Sequence, residues 1–294
     1  MGYGKAIKAR LLNYRMTIKE LAEKSDISIK TLYSITQRDS KRIDPDILMK
    51  VSAVLGVDPT DITRDALGQK VNKGGRNLKV LIAIPTLNSV PIEFFMSILG
   101  LKMVEDTEVS IVANSLVYQA RNQLALKAID EGYDYVLWLD SDMVFASDTL
   151  TRLLDDAEKY KVDYVAGLAF WRHKPTNPVI YKRVLWGQNK DGTIEHGAEI
   201  WKDYPKDKFF EIGGSGMGCV LVRTSVIRKV AETFKCSPFE PMPFMSEDLS
   251  FCWRLARLGF PMYCDSRIKV GHVGQYIFDE AFYLEQENEN TGRV

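Results

Sequence analysis

From Tyr135 the chain reads Tyr-Val-Leu-Trp-Leu-Asp-Ser-Asp, an apolar and aromatic run that stops at two carboxylates one residue apart. A run without polar alternation offers no face to water. It therefore predicts a strand covered on both sides, as in the mostly parallel sheet of an α/β domain. Asp-x-Asp arises roughly once by chance in a chain of this length, so its position carries the weight. Open α/β sheets bind ligands beyond the carboxyl ends of their strands, where Asp140 and Asp142 fall. The pair is a candidate for holding a divalent cation against a diphosphate. The competing account is a solvated turn in which Ser147 or Asp148 caps a helix over Thr149 to Lys159.

At 294 residues and 46% hydrophobic content the chain has room for one large domain and a small one. No apolar stretch approaches the roughly 20 residues that span a bilayer. The start, Met1-Gly2-Tyr3-Gly4-Lys5, lacks the apolar stretch of a secretory signal, so a cytoplasmic location is expected. Cys219, Cys236, Cys252 and Cys264 form no C-x-x-C pair, which favours free thiols over a structural zinc. Net charge is zero, but unevenly distributed: 15 Lys and Arg face 9 Asp and Glu through Arg76, against 24 and 30 afterwards. That asymmetry suggests a segment facing nucleic acid joined to something else.

Residues 4–67 read as successive short helices: Lys5 to Tyr14, Thr17 to Lys24, Ser28 to Thr36, Pro45 to Leu55 and Pro59 to Leu67. Thr17 stands at capping-box spacing from Glu20, Ser28 caps the third helix, Pro45 and Pro59 suit first turns, and Gly56 ends the fourth. Leu21, Ala22, Leu32 and Ile35 would close a helix-turn-helix around Asp26-Ile27. Thr17-Ile18-Lys19-Glu20-Leu21-Ala22, Ile27 to Leu32 and Leu48 to Val57 together resemble the phage-repressor (Cro and C1) type of DNA-binding domain, over residues 1–69. Asp26 replaces the glycine usual in that turn. The resemblance implies a recognition helix from Ser28 to Thr36, with Lys30, Thr31 and Ser34 toward base edges and Lys41 and Arg42 near the phosphates of duplex DNA. A single copy would bind weakly, so a homodimer is the matching expectation. A helical module used for protein contacts is the alternative.

Residues 70–77 are polar, contain Gly74-Gly75, and read as a linker. From Leu78 the period changes. Leu78 to Ile84 is a buried strand followed by Pro85-Thr86-Leu87-Asn88-Ser89 and an apolar helix near Pro91; Val109 to Ala113 is a strand and Leu116 to Asp130 a helix. No G-x-G-x-x-G follows the first strand and no Walker lysine is present, which argues against dinucleotide and P-loop folds.

Ile84-Pro85-Thr86, Ala120-Arg121-Asn122, Leu139-Asp140-Ser141-Asp142, Gly213 to Cys219, Ser246-Glu247-Asp248 and Gly271-His272, in that order, resemble a GT-A-type glycosyltransferase close to the family-2-like, phage-encoded enzymes. The expected fold is α/β, a GT-A nucleotide-diphospho-sugar transferase domain over residues 78–280 after a small all-α domain, with an acidic tail at 281–294. The resemblance implies a nucleoside-diphosphate sugar donor, UDP-sugar first, although Ala113-Asn114-Ser115 lacks the aspartate that often reads uracil. It implies Mn²⁺ or Mg²⁺ held by Asp142 and His272, with Asp140 on the metal shell or the ribose. Pro85, Thr86, Asn88 and Arg121 would border the nucleotide, and Gly214 and Gly216 would admit the substrate's close approach to the backbone. Arg121 serves equally as a structural ion pair. Asp248 would be the general base of an inverting reaction and Glu247 would orient the acceptor; helix capping is the competing account of both. Trp171 and Arg172 could line the same cleft. The acceptor is left open between glycan, protein and a modified DNA base. A retaining transferase, and a regulator that senses sugar nucleotides without turnover, are the rival readings.

Overall fold

The computed structural model of the protein describes residues 2–13, 16–40, 42–57, 59, 62–63, 66, 78–274 and 276–291. The chain divides into two compact units, Met1–Arg76 and Asn77–Val294, each with its own core. The segment read as a linker lies within 67–77, outside the described residues, and of the helix expected over Pro59 to Leu67 only Pro59, Ile62, Thr63 and Ala66 are described, all helical.

The first unit contains α1 (Tyr3–Asn13), α2 (Ile18–Ser25), α3 (Ile29–Arg38) and α4 (Pro45–Leu55). The capping box forms in both directions: Thr17 Oγ1 accepts from the Glu20 amide at 3.2 Å, and the Glu20 carboxylate accepts from the Thr17 amide at 2.7 Å. Asp26 turns the chain into α3 with a left-handed φ of 52°, as a short carboxylate can. Ile7, Leu21, Leu32, Val51 and Leu55 fill the core. α1 reaches α3 because it carries glycine: a Cβ at Gly4 would stand 2.4 Å from the Ile35 carbonyl oxygen. Asp39 then caps α1 from the far end of α3, accepting from the amides of Gly2 at 3.0 Å and Lys5 at 2.8 Å.

The second unit runs β1 (Lys79–Pro85), α5 (Ile92–Gly100), β2 (Asp106–Val112), α6 (Val117–Asp130), β3 (Tyr135–Leu139), β4 (Met143–Val144), α7 (Thr149–Tyr160) and β5 (Tyr164–Leu168). There follow β6 (Ile180–Gln188), β7 (Ile194–Ile200), β8 (Phe209–Ile212), β9 (Gly214–Ser215), β10 (Cys219–Arg223), α8 (Thr224–Phe234) and α9 (Glu247–Arg257). It closes with β11 (Met262–Lys269), β12 (Gly271–Val273), β13 (Ile277–Phe278) and α10 (Glu280–Thr291). Seven strands form one sheet, β2-β1-β3-β10-β5-β11-β8, in which only β10 and β8 oppose the common direction. Val80, Ile82, Tyr135 and Leu137 pack with Phe94 of α5 and Leu150 and Leu153 of α7. Leu81, Ala83, Val136 and Trp138 pack on the opposite face with Leu124 of α6, Val226 of α8 and Phe251 of α9. Burial on both faces is why β1 and β3 lack polar alternation.

Two three-stranded sheets flank the main one: β7-β6-β9 and β13-β12-β4. The glycine-rich segment before β10 is not a free turn, since Gly214 and Ser215 pair with Tyr181 and Ile180. Of the segment expected as an acidic tail, residues 281–291 lie in α10, where Tyr283 buries its ring 5.5 Å from Phe170 and Gln286 Oε1 accepts from the Thr176 amide at 2.9 Å. No helix among the described residues is long and apolar enough to cross a membrane.

Candidate functional site

Leu139 ends β3, and the next turn projects Asp140 and Asp142 from the carboxyl edge of the sheet. The chain then enters β4, whose Met143 pairs with His272 of β12, while the Val273 amide donates to the Asp142 carbonyl at 2.8 Å. That pairing sets His272 Nε2 3.2 Å from Asp142 Oδ2. The other ring nitrogen, Nδ1, bonds the Phe170 carbonyl at 2.9 Å and fixes the ring's orientation. Burial opposes charge on His272, but its bond to Asp142 prevails and holds it above its ordinary value. Burial likewise would raise Asp142, yet His272 and Arg172 bring it below the usual carboxylate range.

Of the three residues expected to hold an ion, two meet. Asp140 is turned away onto Arg121, whose Nη2 lies 2.6 Å from Asp140 Oδ1. Among the described residues no cluster of three or more acidic, histidine or cysteine side chains stands ready for a metal. Arg121 is itself 2% exposed and reaches across to α9, where its Nε donates to Glu247 Oε1 at 3.3 Å. Its Nη1 is buried with no hydrogen-bond partner. Burial disfavours its charge, but Asp140 and Glu247 outweigh that and raise its pKa. Of the two readings of Arg121, the structure shows the buried ion pair, made with Asp140 and Glu247.

Glu247 and Asp248 open α9, and burial together with Asp248 raises the Glu247 pKa against the pull of Arg121. Ser246 occupies the N-cap position without capping a backbone amide; its hydroxyl donates instead to Asp248 Oδ1, which also accepts from the Leu249 amide at 2.7 Å. Asp248 Oδ2 faces the glycine segment, where a Cβ at Gly216 would lie 3.5 Å from it. The same Cβ would lie 2.6 Å from Val179, and one at Gly214 would lie 2.8 Å from Val184, so backbone alone fits there.

Pro85, at the end of β1, lies two residues beyond the Ala83–Trp138 pair, and Asp140, just past the end of β3, lies equally far beyond it, so the two strand ends adjoin. The following loop is tied to β2: the Thr86 amide donates to the Val112 carbonyl at 2.9 Å and Asn114 donates to Leu87 at 2.7 Å. Asn88 is exposed, and its Oδ1 accepts from the hydroxyl of its neighbour Ser89 at 3.4 Å. Arg172, placed in the cleft by sequence, puts Nη1 2.6 Å from Asp142 Oδ2. The Phe170 carbonyl was not foreseeable, since a backbone oxygen carries no sequence signal.

In the first unit, Lys30, Thr31, Ser34 and Arg42 line one shallow groove over Ile43 and Ile47. Thr31 also bonds the Ser28 hydroxyl at 2.7 Å, so its side chain is engaged at the start of α3. Lys41 lies outside the described residues.

Residues 6–65 match the family profile of the Cro/C1-type HTH DNA-binding domain, and residues 111–233 match that of Glycosyl transferase family 2. No curated protein sequence matches the chain. Among solved structures, A197 from STIV is similar at 20% identity and a TM-score of 0.46, over 67% of this chain and 86% of that one. GalNAc-T7, solved with UDP, GalNAc and Mn²⁺, is similar at 9% identity and a TM-score of 0.45, over 68% of this chain and 44% of that one.

Proposed function

We propose that this chain, which matches the Cro/C1-type HTH profile over residues 6–65 and the Glycosyl transferase family 2 profile over residues 111–233, is a metal-dependent, inverting glycosyltransferase whose first unit binds duplex DNA. The donor is a nucleoside-diphosphate sugar, with a UDP-sugar the first to test. The acceptor supplies a hydroxyl.

The observation that carries this reading is Asp142 facing His272 across 3.2 Å, with the far side of the imidazole tied to a carbonyl. A carboxylate and an oriented imidazole suit Mn²⁺ or Mg²⁺, and an ion there would take the place of the proton they share. Such an ion supplies Lewis-acid stabilisation of the charge that develops on the departing diphosphate. The protein's own groups account for the remaining roles. Asp248, with Oδ1 anchored and Oδ2 toward Gly216, would accept the proton of the attacking hydroxyl. Glu247 would orient that hydroxyl, Asp140 would meet the ribose, and Arg121 would hold both carboxylates in register. Gly214 and Gly216 would let the substrate approach the backbone, with Pro85, Thr86 and Asn88 bordering the nucleotide at the adjoining strand ends.

The test is donor hydrolysis and heat stabilisation across a panel of nucleoside-diphosphate sugars, with and without Mn²⁺, in wild type and Asp142→Ala. A donor-specific response that needs the ion and vanishes in the variant supports the proposal. Donor binding that never leads to turnover, even with acceptors present, would establish a sensor instead. The anomeric configuration of the product separates inversion from retention.

A further inference from the structure

The segment just before α9 is a turn in which the Met245 amide donates to the Met242 carbonyl at 3.0 Å. Pro243 suits its second position, but the third, where glycine is favoured, is Phe244 at φ 63°. A bulky side chain held there is strained, and such strain concentrates where a ligand is gripped. The ring gains nothing from burial in exchange, since Phe244 is 75% exposed. It lies 5.3 Å from the His196 ring, nearly parallel at 15°. His196 pairs across the hairpin with Trp186, whose Nε1 donates to the Pro243 carbonyl at 3.1 Å and whose ring meets Trp253 of α9 at 5.6 Å. The β6–β7 hairpin and the turn therefore build an open aromatic shelf, four residues ahead of Asp248.

Resting on the transferase reading above, we infer that the acceptor is a neutral glycan whose pyranose ring stacks on Phe244, presenting a hydroxyl to Asp248. The axial C–H bonds of a pyranose give it an apolar face that matches the electron-rich face of an aromatic ring. A nucleic-acid strand at the shelf would need unpaired cations for its phosphates. Those on β6 are already neutralised: Arg183 pairs with Glu199 at 2.8 Å and Lys182 with Asp203 at 2.9 Å.

The experiment offers the full chain, with its best donor, a panel of neutral disaccharides (cellobiose, lactose, maltose and diacetylchitobiose) beside single-stranded and duplex DNA containing hydroxymethylcytosine. At least one disaccharide is glycosylated, and Phe244→Ala raises its KM about tenfold relative to the donor KM, the scale of one lost stacking contact. Phe244→Tyr restores the acceptor KM. Phe244→Gly loses it as the alanine variant does while melting at a higher temperature, because glycine relieves the left-handed backbone. Leu185→Ala, on the other face of β6, changes neither constant. Glycosylation of DNA alone, donor hydrolysis with no disaccharide used, or an alanine variant with unchanged acceptor KM would each overturn the inference. A protein that neither binds nor hydrolyses any donor instead overturns the transferase reading on which it rests.

Discussion

Arg172 and His272 share one acceptor, Oδ2 of Asp142, at 2.6 and 3.2 Å. An ion entering beside His272 must compete with the guanidinium for that oxygen. Arg172 is largely exposed, so the pair it makes is weak. Arg172→Ala should tighten Mn²⁺ binding about two- to fivefold, the equivalent of a surface ion pair. Calorimetric titration with Mn²⁺ alone, before any nucleotide is added, measures this; weaker binding would mean that Arg172 assists the ion.

Arg121 is the buried cation between two carboxylates, and its loss leaves both uncompensated. Arg121→Met should cost about 3–5 kcal/mol of stability, as for other broken buried pairs, and abolish turnover. Arg121→Lys should recover little, because a single ammonium cannot reproduce the fork that reaches Asp140 and Glu247 together. Denaturant melts alongside initial rates would show whether stability and turnover fall together.

Away from the site, Asp156 on α7 is pushed up to about 7, chiefly by burial and then by the bond to Asp265, against the pull of Arg267 and Arg152. Its Oδ2 is buried without a hydrogen-bond partner, so a proton there lets it donate to Asp265. The folded state therefore holds a proton that the unfolded chain releases near pH 3.8. This contribution to stability is full below about pH 4 and is lost as pH rises through about 7. Asp156→Asn keeps a neutral partner throughout. Relative to wild type it should gain on the order of 2 kcal/mol between pH 5 and pH 8, read from denaturant melts at each pH.

On the first unit, Lys30, Ser34 and Arg42 line one groove, and in the duplex-binding proposal Lys30 and Ser34 face base edges while Arg42 faces a phosphate. For the full chain on a duplex, Arg42→Ala should lower the slope of log K against log salt by about 1, with little change in sequence preference. Ser34→Ala should relax the preference and leave the slope alone. Fluorescence anisotropy over a salt series distinguishes the two effects, and a salt-independent signal would remove the DNA proposal.

What sequence revealed and what it hid follow from how far each feature reaches along the chain. The Thr17–Glu20 box, the Pro45 helix start and the strand from Tyr135 are local, and residue order announces them. The positions of Asp140, Asp142, Glu247 and Asp248 at strand and helix ends were legible for the same reason. His272 beside Asp142 depends on β4 pairing with β12, which no local period encodes; motif order alone pointed to it. The burial of Arg121, Asp39 capping α1 and the docking of Tyr283 on Phe170 are products of packing. The left-handed turn at Phe244 went unread because a phenylalanine there contradicts the residue preference by which turns are recognised.

The β4–β12 pairing also fixes when the site can exist. Synthesis proceeds from the amino terminus, and the helical unit, closed by neighbouring helices, is complete on the ribosome early. Asp142 then waits roughly ten seconds of elongation at ordinary rates before His272 is made. A nascent chain can thus present its first unit long before Asp142 and His272 can meet, and a chain cut short after β10 would keep both aspartates without ever forming that pair.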